Sequence, residues 1–522
     1  MSAPWASVPA MLRSSAEHFG QRDAVVDSEV RWTYADLARR VQEAAAAMVA
    51  AGLERGERAA IWAPNIAEWI VTALAILDAG GVVVPLNTRF KGDEAADIVA
   101  RSEARLLFTV TDFLDTDYIA MLAGAGLHPR DLERVVVLRG PARDGSQSWD
   151  EFLAGADDAA RAEAQRRADA VAADDLSDLI FTSGTTGRPK GVMTTHGQTL
   201  QVFDVWSSVV GLREGDRYLI VNPFFHTFGY KAGFLAALMR GATAYPHPVF
   251  DAGTVLERIS SERITVLPGP PTLYQSVLVH PDRGAADLSS LRLAVTGAAV
   301  VPVELIRRMS DDLGFDTVLT AYGLTEATGV VTMCRPGDDV ETIATTCGCA
   351  IPDTEVAVVD DTGAQLAPGE AGEVVVRGYN VMLGYHEEPW QTRETIKDGW
   401  LHTGDIGVLN ERGYLRITDR KKDMFIVGGF NAYPAEIENV LSMHDGVAQV
   451  AVVGVPDERL GEVGVAFVVP RPGAELDPDE IVTWTRERMA NFKVPRRVEI
   501  VDALPLNASG KVLKNELREQ VT

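Results

Sequence analysis

Apolar helical patterns alternate with short runs of β-branched residues along most of the chain. Residues 64–79 are apolar on nearly every face, which predicts a buried helix, and Gly80-Gly81 ends it before a strand at 82–84. Repeated alternation of helices and strands is typical of an α/β fold with largely parallel sheets. The same order predicts helices at 254–261 and 302–312, and strands at 264–267 and 317–320.

Three further segments have patterns that predict local structure. Thr33, followed by Asp36 three residues later, is typical of a helix N-terminus closed by a capping box. Residues 154–175 are rich in alanine and charge without a strong apolar face, which predicts a solvated helical connector. Strands are predicted at 179–181, after this connector, and at 373–377, after a Gly- and Pro-rich hairpin loop at 363–372.

Length and composition limit the class of protein. With 522 residues the chain is too long for one hydrophobic core, because cores stop growing at roughly 250–300 residues. Apolar residues make up 46% and charged residues 24%, which is typical of folded proteins. A charged run at 419–423 predicts a domain boundary, since the residues beyond it carry their own helix and strand patterns.

Several features indicate a cytoplasmic protein without integral membrane association. The longest apolar run, residues 69–77, is far shorter than the ~20 residues that a membrane span requires. Residues 1–20 lack the basic and apolar regions of an export signal. The cysteines Cys334, Cys347 and Cys349 are too few for a disulfide framework and lack partners at zinc spacing, which is typical of thiols in a reducing cytoplasm.

The net charge of −25, from 49 basic and 74 acidic residues, argues against nucleic acid as a partner. A polyanionic ligand must therefore be held by a few local donors. Residues 182–191 (TSGTTGRPKG) contain three glycines, whose backbone N–H groups can converge on an anion, together with four hydroxyl side chains and Lys190. This segment predicts a triphosphate-binding loop, although its spacing differs from that of a Walker loop.

Four more motifs follow this loop in sequence. They are 321–326 (AYGLTE), 402–405 (HTGD), 419–424 (DRKKDM) and 504–511 (LPLNASGK). Together the five motifs resemble those of the adenylate-forming superfamily, which contains acyl-CoA synthetases, luciferases and peptide-synthetase adenylation domains. The resemblance extends from about residue 8 to residue 517, which is nearly the whole chain.

The resemblance implies both an architecture and an activity. It implies a large N-terminal adenylate-forming domain at 1–418, with α/β subdomains and a β-subdomain, that binds ATP and the acid. It further implies a hinge at 419–423 and a small, mobile α+β lid domain at 424–522 that carries the catalytic lysine. The implied enzyme uses ATP and Mg²⁺ to convert a carboxylic acid into an acyl-adenylate and pyrophosphate, and then transfers the acyl group to coenzyme A.

The resemblance also assigns an ATP site. Glu326 would hold Mg²⁺ with a contact from Thr182, because carboxylate and hydroxyl oxygens suit this ion. Asp405 would accept hydrogen bonds from the ribose, with Arg420 as a second ribose contact, and Tyr322 would line the adenine pocket. The whole predicted ATP site comprises Thr182, Ser183, Gly184, Thr185, Thr186, Gly187, Arg188, Pro189, Lys190, Gly297, Ala298, Ala299, Ala321, Tyr322, Gly323, Thr325, Asp405, Arg420 and Lys511.

Lys511, Glu326 and His226 form the predicted catalytic set. Lys511 would reach the carboxylate and the α-phosphate during adenylate formation, and rotation at the hinge residues Asp419 and Lys421 would then withdraw it. Gly428 and Gly429 would let the pantetheine arm of coenzyme A approach the backbone. Where the family usually has a lysine, this chain has Ile426, so the phosphate contact of that lysine stays open here.

An aromatic segment predicts the acyl pocket. The resemblance places His226 beside the carboxylate of the acid, and residues 268–274 would form another wall of the pocket. Residues 224–233 (FFHTFGYKAG) and 267–274 (LPGPPTLY) resemble the actinobacterial ligases of steroid catabolism, which take a propionate attached to a bicyclic hydrindane-dione. The predicted acyl-binding residues are Phe225, His226, Phe228, Gly229 and Tyr230.

Other functions stay open from the sequence. A medium- or long-chain fatty acid is the alternative substrate. A stand-alone adenylation domain usually has an aspartate near the pocket histidine, whereas here Phe225 and Thr227 flank it and no carrier segment follows Lys511. A luciferase-like oxygenase shares the same motifs, and a non-catalytic nucleotide- or acyl-binding protein would not need Lys511. The oligomeric state is open, with a homodimer as one alternative.

Overall fold

The strands form four sheets among the residues that the computed structural model describes, which are 3–28, 30–111, 113–128, 131–143, 145–182, 189–297, 301–420, 423–427, 430–457, 459–489, 491–506 and 512–521, with the backbone alone at 419, 420, 430 and 431. The helices are α1 (Val8–Phe19), α2 (Tyr34–Ala50), α3 (Ala67–Asp78), α4 (Gly92–Arg101), α5 (Tyr118–Gly124), α6 (Trp149–Ala154), α7 (Asp158–Ala170), α8 (His196–Val209), α9 (Thr227–Gly229), α10 (Ala236–Met239), α11 (Ala252–Glu262), α12 (Pro271–Val279), α13 (Val303–Asp311), α14 (Val340–Thr345), α15 (Pro389–Thr395), α16 (Pro434–Ser442), α17 (Pro478–Arg486) and α18 (Lys514–Glu519). A π-helical turn spans Tyr230–Leu235, and 3₁₀ turns span Pro281–Ala285 and Thr325–Ala327.

The strands are β1 (Asp23–Asp27), β2 (Val30–Thr33), β3 (Arg58–Trp62), β4 (Val82–Pro85), β5 (Ala104–Val110), β6 (Arg134–Arg139), β7 (Gln147–Ser148), β8 (Leu176–Thr182), β9 (Lys190–Thr195), β10 (Arg217–Ile220), β11 (Thr243–Pro246), β12 (Leu293–Gly297), β13 (Thr317–Tyr322), β14 (Thr332–Met333), β15 (Cys349–Ala350), β16 (Thr354–Val359), β17 (Ala371–Gly378), β18 (Gly384–Tyr385), β19 (Ile396–Lys397), β20 (Trp400–Leu409), β21 (Leu415–Arg420), β22 (Phe425–Val427), β23 (Phe430–Ala432), β24 (Val447–Asp457), β25 (Gly461–Pro470) and β26 (Arg497–Ile500).

Two of the sheets are built mainly from parallel strands. The larger has the order β18-β9-β8-β4-β3-β5-β6-β7, in which the six strands from β8 to β7 run parallel to their neighbours. The second sheet joins β2-β1-β11-β10 to β12-β13-β14-β15, because Val266 bridges Tyr218 of β10 and Leu293 of β12 in parallel. These sheets confirm the predicted α/β fold with largely parallel strands.

The other two sheets follow later in the chain. An antiparallel sheet has the order β16-β17-β20-β19, with β21 on β20. The last sheet, β23-β22-β25-β24 with β26 parallel to β25, packs against α16, α17 and α18 through two hydrophobic clusters built from residues between 425 and 521. The large domain with a β-subdomain and the small α+β domain are thus both present. The domain limits at 418 and 424 stay a prediction.

Several local predictions are confirmed. The predicted helix at 64–79 is α3, in which every residue except Glu68 is buried, as its apolar sequence requires. The Thr33–Asp36 capping box closes the start of α2. The predicted hairpin loop is also present, since residues 360–370 connect the antiparallel strands β16 and β17, although Ala371 and Gly372 of the predicted range 363–372 already belong to β17. Among the described residues, no helix is long and apolar enough to cross a membrane.

One local prediction is corrected, and a second is confirmed with an added contact. Residues 264–267 form no regular strand, because only Val266 pairs, as an isolated bridge between β10 and β12. Residues 154–175 are helical over α7 and mostly exposed, as predicted for a solvated helical connector. They contain α7, which packs through the buried small side chains Ala160, Ala164 and Ala168 against α2. Alanines four residues apart form a face that is too small to stand out as apolar but lets two helices approach closely.

The end of α3 provides a test of stability against pH. Asp78 is the last residue of this helix and is 5% exposed, with Arg13 Nη1 at 3.9 Å from its Oδ1. Burial raises the pKa of Asp78 to about 7, despite Arg13. The folded state therefore binds this proton more tightly than the unfolded state, and stability falls as the pH rises from about 4 towards 7.

Replacing Asp78 with asparagine is expected to remove this loss of stability at neutral and alkaline pH, because asparagine does not ionise. The free energy of unfolding of Asp78→Asn should rise by up to about 4 kcal/mol at pH 8.5, with a smaller gain at pH 5, which thermal melts at both pH values would measure. Asp311→Asn is the matched control, because Asp311 also ends a helix but is exposed. An equal shift of the melting temperature at both pH values would contradict the assignment.

Candidate active site

Three parts of the predicted site, namely the acyl segment, Gly297 and Tyr322, follow or end neighbouring parallel strands. The chain between β10 and β13 runs parallel at each step, through Val266 and β12. The acyl segment, residues 222–230, follows β10, while Gly297 ends β12 and Tyr322 ends β13. Since the carboxyl ends of parallel strands meet at one edge, these residues share a single edge of the sheet, where open α/β sheets bind their ligands.

A carboxylate with two hydroxyl partners lies beside this edge. Glu326, in the 3₁₀ turn Thr325–Ala327, accepts hydrogen bonds at Oε1 from Thr182 Oγ1 at 3.3 Å and from Tyr385 Oη at 3.0 Å. Burial and the Glu326 carboxylate raise the pKa of Tyr385, so its hydroxyl stays protonated and donates. The structure thus brings together Glu326 and Thr182, the two predicted metal ligands. Their hard oxygens fit Mg²⁺, which is usually held by one or two carboxylates together with phosphates.

Tyr385 was not predicted from the sequence. It lies in β18, which pairs with β9, the strand directly after the predicted phosphate loop. About 190 residues separate the two strands along the chain, so no local pattern indicates that they meet. The Lys190 ammonium, at the start of β9, lies 5.0 Å from the centre of the Tyr385 ring.

Asp405 and Tyr322 form a second pair of predicted site residues. Tyr322 Oη donates a hydrogen bond of 2.6 Å to Oδ2 of Asp405, which is only 5% exposed. The turn before Asp405 is fixed locally, because the Asp405 N–H donates to Thr403 Oγ1 and the Gly404 N–H donates to Glu373 Oε1. Arg420 lies opposite Asp405 in the β20–β21 register. The predicted ribose and adenine residues therefore lie together.

Two glycines at the edge have no room for a side chain. A Cβ on Gly297 would lie 2.6 Å from the Ala321 carbonyl oxygen, and the φ of 156° at Gly297 also disfavours one. A Cβ on Gly323 would lie 2.1 Å from the Gly329 carbonyl oxygen. Both positions therefore require glycine, because the neighbouring backbone packs directly against them.

The base of the predicted phosphate loop is anchored on both sides. Thr182 and Lys190 face each other at the ends of β8 and β9. Arg101, at the end of α4, donates to the Pro189 carbonyl oxygen at 2.6 Å and pairs with Glu388 at 2.5 Å. The remaining predicted residues lie outside the described residues or are described by backbone alone. These are Ser183, Gly184, Thr185, Thr186, Gly187, Arg188, Ala298, Ala299, Lys421, Gly428, Gly429 and Lys511, and for their side chains Asp419 and Arg420.

The acyl segment presents one exposed histidine. The His226 side chain is exposed at the surface, and desolvation by the protein around it lowers its pKa. The Phe228 N–H donates to His226 Nδ1 at 3.2 Å, so the neutral ring carries its proton on Nε2. Phe225 and Phe228 are half-buried. Tyr230 lies behind them in the core, stacked on a neighbouring phenylalanine with ring centres 5.3 Å apart.

Comparison with known proteins agrees with this geometry. Residues 12–386 match the AMP-binding enzyme family, and residues 436–511 match the C-terminal domain of AMP-binding enzymes. The chain belongs to the AMP-binding enzymes. This membership confirms the predicted superfamily and its two-domain fold.

Relatives of this AMP-binding enzyme narrow its class. It is 52% identical, over 98% of both chains, to the 3-[(3aS,4S,7aS)-7a-methyl-1,5-dioxo-octahydro-1H-inden-4-yl]propanoyl:CoA ligase of Rhodococcus jostii. It is 53% identical, again over 98% of both chains, to the ligase of the same name from Mycobacterium tuberculosis. Its fold matches the crystal structure of the anthranilate CoA ligase AuaEII in complex with anthranoyl-AMP, with a TM-score of 0.89, 28% identity, and coverage of 99% of this chain and 98% of that one.

The predicted enzyme class is thereby confirmed. This AMP-binding enzyme is an AMP-forming acyl-CoA synthetase. Mg²⁺ is its cofactor, and ATP and coenzyme A are its co-substrates. The roles of the individual site residues stay predictions.

Proposed function

We propose that this synthetase activates a bulky alicyclic propionate of the kind formed in steroid ring degradation. The observation that carries the proposal is the identity of 52% and 53% over 98% of the chain to ligases named for a methyl-dioxo-octahydroindenyl propanoyl group. The acyl segment supports it, because half-buried Phe225 and Phe228 flank the exposed His226. A bulky apolar ring needs such aromatic walls, and its carboxylate needs a donor such as His226 Nε2.

In the first half-reaction, a carboxylate oxygen of the acid attacks the α-phosphorus of ATP and pyrophosphate leaves. Asp405 would accept hydrogen bonds from the ribose hydroxyls, and the hydrogen bond from Tyr322 would hold its carboxylate in place. Glu326 and Thr182 would hold Mg²⁺, which supplies positive charge against the leaving pyrophosphate. Lys511 would donate to the carboxylate and the α-phosphate as negative charge moves between them.

In the second half-reaction, the thiol of coenzyme A attacks the acyl carbonyl carbon and AMP leaves. The proposed division at 1–418, 419–423 and 424–522 lets the small domain turn about Asp419 and Lys421 between the two steps. This turn would withdraw Lys511 and bring Gly428 and Gly429 towards the pantetheine arm. The side chain of Ile426, where the family usually has a lysine, is half-exposed and carries no charge to offer a phosphate, and its backbone N–H donates to Glu462 Oε2 at 2.8 Å.

A substrate panel tests the acid. We expect kcat/KM for a hydrindane-dione propionate to exceed that for octanoate and palmitate by at least about 100-fold, because the ring fills an aromatic pocket that a flexible chain fills poorly. The release of AMP, measured with coenzyme A present, gives the rates. A higher kcat/KM for either fatty acid would overturn the steroid assignment and favour a fatty-acid ligase.

Isotope exchange between pyrophosphate and ATP tests the first half-reaction separately. Exchange that depends on the added acid is expected from a synthetase. Its absence across a broad panel of acids would instead favour a nucleotide- or acyl-binding protein.

We also propose a cytoplasmic location, where ATP and coenzyme A are both available. The three free cysteines at 334, 347 and 349 suit a reducing compartment. The homodimer stays a prediction, which analytical ultracentrifugation at micromolar concentration would test.

A further inference from the structure

A fully buried ion pair joins the acyl side of the molecule to the β8–β9 hairpin. Lys231, in the π-helical turn directly after the acyl segment, is 1% exposed, and Asp178 on β8 is 0% exposed. The Lys231 Nζ lies 2.9 Å from Asp178 Oδ1 and donates at 2.8 Å to Thr194 Oγ1 on β9. One side chain therefore holds both strands of the hairpin.

The buried charges are well satisfied. Besides Lys231, Asp178 accepts hydrogen bonds of 2.6 Å from Ser177 Oγ and from Thr194 Oγ1. Burying two charges costs several kcal/mol per ion, and a packed apolar pair is often as stable as a buried ion pair. Stability alone is therefore a weak reason for an ion pair here. An ion pair has a preferred direction and length. Unlike an apolar contact, it therefore fixes the position of one structural element relative to another.

The two elements that the pair connects carry different substrates in the proposed reaction. Asp178 and Thr194 are direct partners in the β8–β9 register, and in the same hairpin Thr182 faces Lys190 at the base of the predicted phosphate loop. Four residues of strand, about 13 Å, separate Asp178 from Thr182. On the other side, the backbone N–H of Tyr230, next to Lys231, donates to the His226 carbonyl oxygen at 2.9 Å.

We propose that Lys231 is a positioning residue for adenylate formation, which sets the distance between the acyl carboxylate beside His226 and the phosphates held at the β8–β9 hairpin. The inference rests on the proposed function, because it takes the acyl segment and the hairpin as the two substrate sites. A π-helical turn widens the helix and directs this lysine towards the sheet, and such turns are frequent at functional sites. Displacement of reacting groups by about 1 Å can cost 100-fold in rate, so a small shift suffices.

A single variant and a double variant together separate positioning from stability. Lys231→Met leaves Asp178 buried without its partner, and we expect a large fall in melting temperature and about a 100-fold loss in acid-dependent ATP–pyrophosphate exchange. Asp178→Asn in the same chain removes the unpaired charge, and the melting temperature should recover to within a few degrees of the wild type. The exchange rate should not recover, because neither residue now ties the two elements together. Thioester formation from pre-made acyl-adenylate should stay near the wild-type rate in the double variant, since the acyl group is already bonded to the α-phosphate and pyrophosphate has already left.

A second ion pair provides the matched control. Arg292 and Asp216 are 14% and 3% exposed and lie just before β12 and β10, at the amino edge of the second sheet, away from the candidate site. Arg292→Met should lower the melting temperature without changing the exchange rate per folded molecule. All rates are taken relative to the wild type with its best acid, so an inactive wild type counts against the proposed function and not against Lys231. Recovery of exchange together with stability in the double variant, or wild-type exchange in Lys231→Met, would overturn the positioning role.

Discussion

Replacing Lys511 with alanine is expected to slow adenylate formation by about 1,000-fold or more while largely sparing thioester formation from pre-made acyl-adenylate. The ammonium group would offset the negative charge that moves between the carboxylate and the α-phosphate, and no other part of the motif at 504–511 supplies a cation. The first half-reaction is measured by ATP–pyrophosphate exchange, and the second by release of AMP when coenzyme A is added to the acyl-adenylate.

Lys493→Ala is the matched control for this experiment. Lys493 also belongs to the C-terminal part, and its ammonium is paired with Glu436 at 2.5 Å outside the motif. Replacing Lys493 with alanine should change the rates of both half-reactions by no more than about twofold. Equal losses in the two half-reactions of Lys511→Ala would refute the idea that the small domain presents different residues in the two steps.

Replacing Glu326 with glutamine should lower the exchange rate by at least about 100-fold and shift its dependence on Mg²⁺ to higher concentration. Glutamine keeps an oxygen that can accept from Thr182 and Tyr385, so the local fold should persist. It lacks the negative charge that a hard divalent cation requires. Exchange rates measured over a range of Mg²⁺ concentrations separate weaker metal binding from a slower chemical step.

Tyr385→Phe serves as the graded comparison. It removes one hydrogen bond to Glu326 Oε1 but leaves the carboxylate charged. We therefore expect the ATP–pyrophosphate exchange rate to fall roughly tenfold. If Glu326→Gln exchanged at the wild-type rate with unchanged Mg²⁺ dependence, the metal role of Glu326 would be wrong.

The sequence was most informative where the signal is local. The apolar pattern of α3, the capping box of Thr33 and Asp36, and the hairpin between β16 and β17 all depend on residues within one element or one turn. The predicted site motifs are short and contiguous for the same reason. Gly297 and Tyr322 lie close together because they end the parallel neighbours β12 and β13, whose carboxyl ends meet at one edge.

The missed features depend on contacts between distant segments. Val266 alone in the predicted strand at 264–267 forms bridges, one to Tyr218 and one to Leu293, so this β-branched run contributes a single paired residue to the sheet. Tyr385 reaches Glu326 only because β18 adds to the far side of β9. In the sequence, Lys231 is a single polar residue within an apolar stretch. Its partner Asp178 lies 53 positions earlier in the chain, so no local pattern indicates the ion pair. Pairings of this kind are fixed by tertiary packing and leave no local pattern.

The hydrogen bond from Tyr322 to Asp405 has a consequence for how the enzyme withstands heat. It spans 83 residues and joins β13 of one sheet to β20 of another, so neither sheet alone holds both groups. A nucleotide that touches both binds only when the two sheets are docked, and mass action then raises the cost of separating them. ATP bound at the predicted ribose and adenine residues would act in this way as a clamp across the junction. An enzyme kept saturated with ATP should therefore outlast the ligand-free enzyme on heating, because inactivation that begins by parting these sheets must first release the nucleotide.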